Sequence, residues 1–261
     1  MSSRSAPNSL ASLVRSVRHL AASAAQPVDV ESLAWQLVTA CTSPADLYRL
    51  AQRRRQARAI SQGGASARGA ADASVAIAMC ALSAGSAVAW GVAYEVTSPS
   101  ELAFLALWAA FQFLATSAAV ATACWTIANR LCAPQTLPHS IMQQVEWLYA
   151  WDVACAAFVP LFLCLDVAQF VLLPLVLAPE SGVAVGVVGV FAEKWISAVV
   201  ANAIYGIAGV LFWHSIFRGL VELTFVRRAT IFLMPGLVCA CAGTVCIVFQ
   251  VNIANILLRA F

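Results

Sequence analysis

Charge is what this chain has least of. Asp, Glu, Lys and Arg make up 10% of its 261 residues, against 62% apolar residues and a mean hydropathy of +0.84. Soluble domains carry nearer a quarter charged residues, so this composition cannot cover a water-facing surface, and an ordinary soluble enzyme is excluded. Disorder of the whole chain is excluded by the same apolar content. Catalytic signatures are missing too: there is no Ser/His/Asp set at motif spacing, no G-x-x-x-x-G-K-[ST] loop and no G-x-G-x-x-G turn. The nine cysteines form no C-x-x-C or Cys/His pair of metal-site spacing. Seven of them, Cys80, Cys124, Cys155, Cys164, Cys239, Cys241 and Cys246, fall in apolar stretches and read as small buried hydrophobes, while Cys41 and Cys132 stand near span ends. The expectation is a non-enzymatic protein with no cofactor and no metal.

The charge that is present is unevenly placed. Nine of the 15 basic residues precede residue 72 against three acids, so the front is about +6 and the remainder about −3. Residues 1–28, rich in Ser, Ala and Arg, read as a disordered tail, with a transit peptide as the other reading. Residues 29–60 read as a helix pair. Val30, Leu33, Ala34, Leu37, Val38 and Cys41 form one apolar stripe with Trp35 beside it. Thr42-Ser43-Pro44 then stops the first helix and starts the second: Ser43 suits the N-cap, Pro44 the first helical position and Asp46 the positive end of the dipole. Arg49, Arg53, Arg54, Arg55 and Arg58 make the second helix strongly basic, and residues 61–72 read as a linker.

Residues 73–261 hold five uncharged or nearly uncharged runs, at about 73–94, 102–128, 153–178, 195–217 and 229–258, each long enough to cross a hydrocarbon core of about 30 Å as a helix. Nothing alternates with period two, so a β-barrel is excluded. The expected fold is all-α: a polytopic membrane protein of five transmembrane helices preceded by a cytosolic amphipathic helix pair. Arginines crowd the segment before the first run and the loops 129–152 and 218–228, whereas the loop 95–101 carries only Glu95 and Glu101, and the loop after the third run Glu180, Glu193 and Lys194. The positive-inside rule therefore predicts a cytosolic N-terminus and a lumenal C-terminus. Ser181–Val190, too short to cross, reads as a lumenal loop or helix start.

Three places could carry chemistry. Val145-Glu146-Trp147-Leu148-Tyr149-Ala150-Trp151-Asp152-Val153 sets two acids among aromatics where a loop meets headgroups. Glu146 and Asp152 are about 120° from sharing a face, so they read as partners of the basic helix or as caps rather than as a paired-carboxylate site. Asp166, about 13 residues into the third run, should face the bundle interior near mid-bilayer and find Asn202, Tyr205 or His214. It is the residue on which a small-solute or proton-coupled transporter, the alternative function, would rest. Against that reading, the chain shows no internal repeat. Asn202, Tyr205 and Gln169 read as interhelical glue. The run Arg53 to Arg58 meets anionic lipid or protein by preference over RNA.

Trp35-Gln36, Thr42-Ser43-Pro44 and Tyr48-Arg49, together with Val145-Glu146-Trp147, Tyr149-Ala150, Asp152-Val153, Ala157-Phe158 and Pro160-Leu161-Phe162, resemble the uncoordinated-fifty family of eukaryotic Golgi membrane proteins. Asn202 with Ile204-Tyr205 is a weaker match, and the resemblance covers about residues 30–261. It implies five spans with a cytosolic N-terminus, residence in the Golgi membrane (alternatively the endoplasmic reticulum or inner nuclear membrane), and a non-enzymatic part in vesicle and protein trafficking. As partners it implies a large Arf guanine-nucleotide exchange factor or another trafficking protein, with support of receptor transport, and RNA as the less favoured partner. The chain departs from the family pattern at Gly219-Leu220-Val221-Glu222-Leu223-Thr224-Phe225-Val226, where members tend to carry G-Y-x-A-L-P-F-L.

Overall fold

A computed structural model describes residues 30–61, 73–132, 145–172, 187–223, 226 and 228–258. The proposed tail at 1–28 and most of the linker at 61–72 lie outside the described residues. So do residues 133–144 and 181–186 of the two loops discussed above. Among the described residues every regular element is helical. Helix α1 is Val30–Thr42 and α2 Pro44–Ser61. Helix α3 is Ala73–Ala93, and α4 is Pro99–Ile127, prolonged by a π-helical turn Ala128–Cys132. Helix α5 is Trp147–Phe162, continued through a π-helical stretch Leu163–Ala168 to Gln169–Val171. Helix α6 is Val187–Val221, a 3-10 turn Ala229–Leu233 leads into α7, Met234–Val248, and α8 is Ile253–Leu258.

Five helical runs are long and apolar enough to cross a membrane: Ser74–Ala93, Pro99–Cys132, Trp147–Val171, Trp195–Val221 and Ala229–Val248. The expected five-helix, all-α class is what the chain adopts. Its spans are built inside out relative to a soluble bundle. Phe104, Leu107 and Phe111 of α4 and Val238 of α7 point outward, while Ser117, Ala121 and Ala128 of α4, Ala157 of α5 and Asn202 of α6 are fully buried. Lipid tails solvate large apolar side chains as well as a protein core does, so small and hydrogen-bonding residues take interhelical positions beside large buried ones such as Met79, Ile216, Leu220 and Phe232.

Contacts divide the chain into two compact units, Met1–Ala156 with Gly219–Arg227 and Ala157–Arg218 with Arg228–Phe261. In the first, α3 and α4 pack closely as a hairpin. Its turn is a Schellman cap: the Val96 N–H reaches the Gly91 carbonyl and the Glu95 N–H that of Val92, with Glu95 left-handed at φ 62. Pro99 then starts α4 at a position that needs no N–H donor. In the second unit α6 and α7 cross through glycines. A Cβ on Gly209 would stand 2.7 Å from the Cβ of Cys239, and one on Gly243 would stand 3.2 Å from the Asn202 carbonyl oxygen.

Two expectations are corrected. The last run is not one helix to residue 258. The Val251 N–H bonds the Cys246 carbonyl and the Gln250 N–H that of Ile247, so a second Schellman cap with Gln250 at φ 57 ends α7 and turns the chain into α8. Glu193 and Lys194, read as loop, belong to the backbone of α6. Asp166 lies in the π-helical stretch Leu163–Ala168, and the residues beyond Leu172, where the run at 153–178 is expected to end, lie outside the described residues. Pro160 inside α5 removes one N–H donor, and the helix relaxes to π geometry just beyond it.

A non-glycine residue held left-handed is disfavoured by roughly 1–2 kcal/mol, part of which glycine loses again through its looser unfolded chain. Gln250→Gly is therefore expected to raise stability in detergent by about 0.5–1 kcal/mol, read as a higher unfolding midpoint. A lower midpoint would show that the Gln250 side chain itself anchors the turn.

Candidate functional site: the arginine-bearing face

Helices α1 and α2 meet at Ser43. Its N–H still bonds the Thr39 carbonyl, while its own carbonyl already accepts from Asp46 and Leu47, so the chain changes helix within a single residue. The break stands where Thr42-Ser43-Pro44 places it. The orientation of α1 does not follow its apolar stripe. Gln36, Thr39 and Ala40 are its buried residues, whereas Val30, Ala34, Trp35, Val38 and Cys41 are exposed. The buried polar groups are tied locally, Thr39 Oγ1 donating to the Trp35 carbonyl at 2.7 Å and Gln36 Nε2 to Ser32 Oγ at 3.3 Å.

Helix α2 buries Ala45, Leu47 and Tyr48 and is fastened at one junction of the first unit. Tyr48 reaches the Val153 carbonyl at 3.4 Å, and Arg49 Nε donates to Glu222 Oε2 at 3.0 Å. Gln52 Nε2 reaches the Glu222 carbonyl at 3.5 Å. Beside them the Tyr149 hydroxyl donates to the Gly219 carbonyl at 2.5 Å. Gly219 is what lets three helices converge: a Cβ there would lie 2.7 and 2.9 Å from the two γ-methyls of Val153 and 3.2 Å from Cε2 of Tyr48. The Glu222 carboxylate holds the Arg49 guanidinium pKa above its ordinary value, first by the hydrogen bond and then by charge, with Asp46 adding to it at 3.5 Å. Stability from a raised arginine pKa is present throughout the neutral range and lost only at extreme alkalinity. Around neutral pH, salt is thus the lever on this pair.

The aromatic stretch before α5 closes the same face. Asn129 clasps the Val145 backbone, its Nδ2 donating to the carbonyl at 3.1 Å and its Oδ1 accepting from the N–H at 2.8 Å. Trp147 Nε1 donates to Thr122 Oγ1 at 3.0 Å and its ring stacks on Trp151 at 5.5 Å. The Glu146 carbonyl accepts from the Tyr149 and Ala150 N–H groups, which puts Glu146 at the start of α5, and Asp152 is half-buried one turn and a half later. Sequence reasoning assigned those two acids to the basic helix. A carboxylate that holds it is Glu222, which with Gly219 belongs to the stretch noted above only for its departure from the family pattern. Arg53 is exposed. The side chains of Arg54, Arg55 and Arg58 lie outside the described residues.

The intramembrane polar residues gather elsewhere, in the second unit. Tyr205 makes a side-chain hydrogen bond with Gln169, with Asp166 close by. Asn202 is tied to the turn after α7, donating to the Val251 carbonyl at 2.6 Å and accepting from the Ile253 N–H at 3.3 Å. His214, a partner expected for Asp166, is exposed, with its ring near Phe217. Of the cysteines read as buried, Cys124 and Cys155 are, and Cys132 with them, but Cys241 is exposed to the surroundings. Among the described residues, no three His, Cys, Asp or Glu side chains converge as metal ligands do.

Residues 17–261 match the profile of the UNC-50 family. The chain is 26% identical over 209 residues to "Protein unc-50 homolog" of Dictyostelium discoideum, covering 80% of this chain and 72% of that one. To "Protein GMH1" of Saccharomyces cerevisiae it is 31% identical over 93 residues, 36% of this chain and 29% of the yeast protein. To "Protein GMH1 homolog" of Schizosaccharomyces pombe it is 27% identical over 152 residues, 58% and 59% of the two chains. No solved structure matches the chain. With five membrane-crossing helices and a family profile spanning nearly its whole length, the chain is a multi-pass membrane protein that belongs to the UNC-50 family.

Proposed function

We propose that this protein is a non-enzymatic adaptor of the Golgi membrane whose cytosolic face, made of α1, α2 and the loops 129–152 and 218–228, recruits a trafficking factor of the large Arf guanine-nucleotide exchange type. The observation that carries the reading is the junction at Gly219. Tyr48, Arg49 and Gln52 fasten a basic helix directly to the ends of membrane-crossing helices, through Val153 and Glu222. A helix so held presents its arginines at a fixed height above the bilayer, and a soluble partner then loses less freedom on docking than it would on a tethered tail. The same arginines complement an anionic leaflet, each contributing about 1 kcal/mol near the surface. Topology follows from charge: Arg49, Arg53, Arg130, Arg218 and Arg228 belong to segments that the positive-inside rule assigns to the cytosol.

The test is charge reversal. Replacing Arg53, Arg54, Arg55 and Arg58 with Glu is expected to reduce the amount of large Arf exchange factor that copurifies with tagged protein from gently solubilised membranes about tenfold or more, the scale of a few lost charge contacts. Because Arg53 is exposed and the Gly219 junction is fastened by Tyr48, Arg49 and Gln52, the protein should still fold and reach its membrane. Undiminished capture would remove this face from the adaptor model.

A further inference from the structure

Helix α1 presents a contradiction that the adaptor role leaves unexplained: it packs against α3, yet it turns its polar side inward. Gln36 and Thr39 are 5% and 7% exposed, whereas Val30 is 74%, Val38 63% and Trp35 45% exposed. At 100° per residue Val30, Ala34, Trp35, Val38 and Cys41 fall within one arc of about 140°, and the polar residues on that arc, Glu31 and Thr42, stand at the two ends of the helix. A helix facing water would be expected to show the reverse arrangement, since an apolar arc of this size left in water is unfavourable while the buried polar groups need local partners.

We infer that α1 is an interfacial helix whose outward arc, centred near Val38 with Trp35 at its edge, is inserted into the boundary between headgroups and acyl chains. The occupant of the face is lipid rather than a protein, and the reason is continuity. Helix α1 lies against α3, a span whose buried side chains in its first two turns are Val75, Ala76 and Met79 and whose neighbours Ile77 and Leu82 are exposed in the same way as Val30 and Val38. Helix α1 therefore packs on a span whose own exposed apolar side chains must already be in lipid. A tryptophan beside an apolar arc suits this depth, about 5–10 Å into the boundary, because its ring is apolar and its N–H polar. Insertion also explains the inward Gln36 and Thr39: their side-chain bonds to Ser32 and to the Trp35 carbonyl keep them satisfied away from water. The inference rests on the membrane placement of the helix pair in the adaptor reading but not on any protein partner.

The test uses the full chain labelled with 5-fluorotryptophan and reconstituted in nanodiscs of phosphatidylcholine with phosphatidylserine. The fluorine resonance of Trp35 is assigned as the one lost in Trp35→Phe. The expected result is that a nitroxide on an upper acyl-chain carbon broadens this resonance more strongly than a water-soluble gadolinium chelate does. Stronger broadening by the chelate would place the arc in water, and protection from both would mean that protein covers it; either overturns the inference. A Val38→Lys variant, whose exposed position makes misfolding avoidable, should shift the balance toward the chelate, and an unchanged balance would also count against insertion. Exchange-factor capture by the arginine variant is a separate measurement, so failure of one leaves the other standing.

Discussion

Replacing Gly219 with alanine is expected to cost about 1–2 kcal/mol of stability and to loosen α2 before anything else, even after the roughly 1 kcal/mol that alanine returns in helix propensity. The added carbon would sit 2.7 and 2.9 Å from the γ-methyls of Val153. Val153 is β-branched, held to one rotamer in a helix, and only 2% exposed, so its methyls have no other place to go. The end of α6 must then move off α5. The Tyr149 hydroxyl and the Gly219 carbonyl part, and Tyr48 and the Glu222 anchor of Arg49 are displaced with them. Hydrogen exchange over residues 44–53 should rise well before the spans open, because a junction of few hydrogen bonds opens locally at less cost than a packed bundle. Exchange that rises equally everywhere would show that Gly219 supports the whole fold rather than this junction. Gly85→Ala is the control: nothing stands within 4 Å of the added carbon, and only the propensity gain should appear.

A leucine at Gly243 is expected to have the largest effect, about 2–3 kcal/mol, and to act on the other unit. The first added carbon would already lie 3.2 Å from the Asn202 carbonyl oxygen and 3.6 Å from the Gly206 Cα, so what stands in the way is backbone, which cannot rotate aside. Helices α6 and α7 must separate, which also breaks the close contacts of Gly209 with Cys239 and of Gly236 with Trp213. Because Asn202 bonds both the Val251 carbonyl and the Ile253 N–H, the turn into α8 loses its fastening in the same movement. In lipid the loss is not recovered by hydrophobic repacking, since tails solvate a separated helix well. The measurement is the unfolding midpoint in detergent together with exchange in residues 246–256. A midpoint unchanged from wild type would mean that the glycine crossing is incidental.

The element pattern was legible in the chain before any packing was considered. Five apolar runs too long for anything but crossing helices and the break at Thr42-Ser43-Pro44 depend on solvent preference and capping, which are properties of short segments. Errors came where such local rules run out. Hydropathy does not register a Schellman turn, so Gln250 was read through as helix. It also treats Glu193 and Lys194 as loop, although a helix longer than the bilayer can carry charges beyond its apolar part. The start of α5 at Trp147 lies inside the aromatic stretch that sequence alone assigns to the interface.

What the chain alone determined is therefore its class: membrane helices, their number, and a basic helix pair ahead of them. Only the tertiary structure decided which faces meet. Apolar periodicity tells which side of a helix avoids water but not which side packs against protein: α1 turns Gln36 and Thr39 inward and Val38 outward. Contacts between helices are then left to features that periodicity does not carry: the missing side chain of Gly219, one carbonyl in reach of Tyr149, and a carboxylate at Glu222 lying 173 residues along the chain from the arginine it holds.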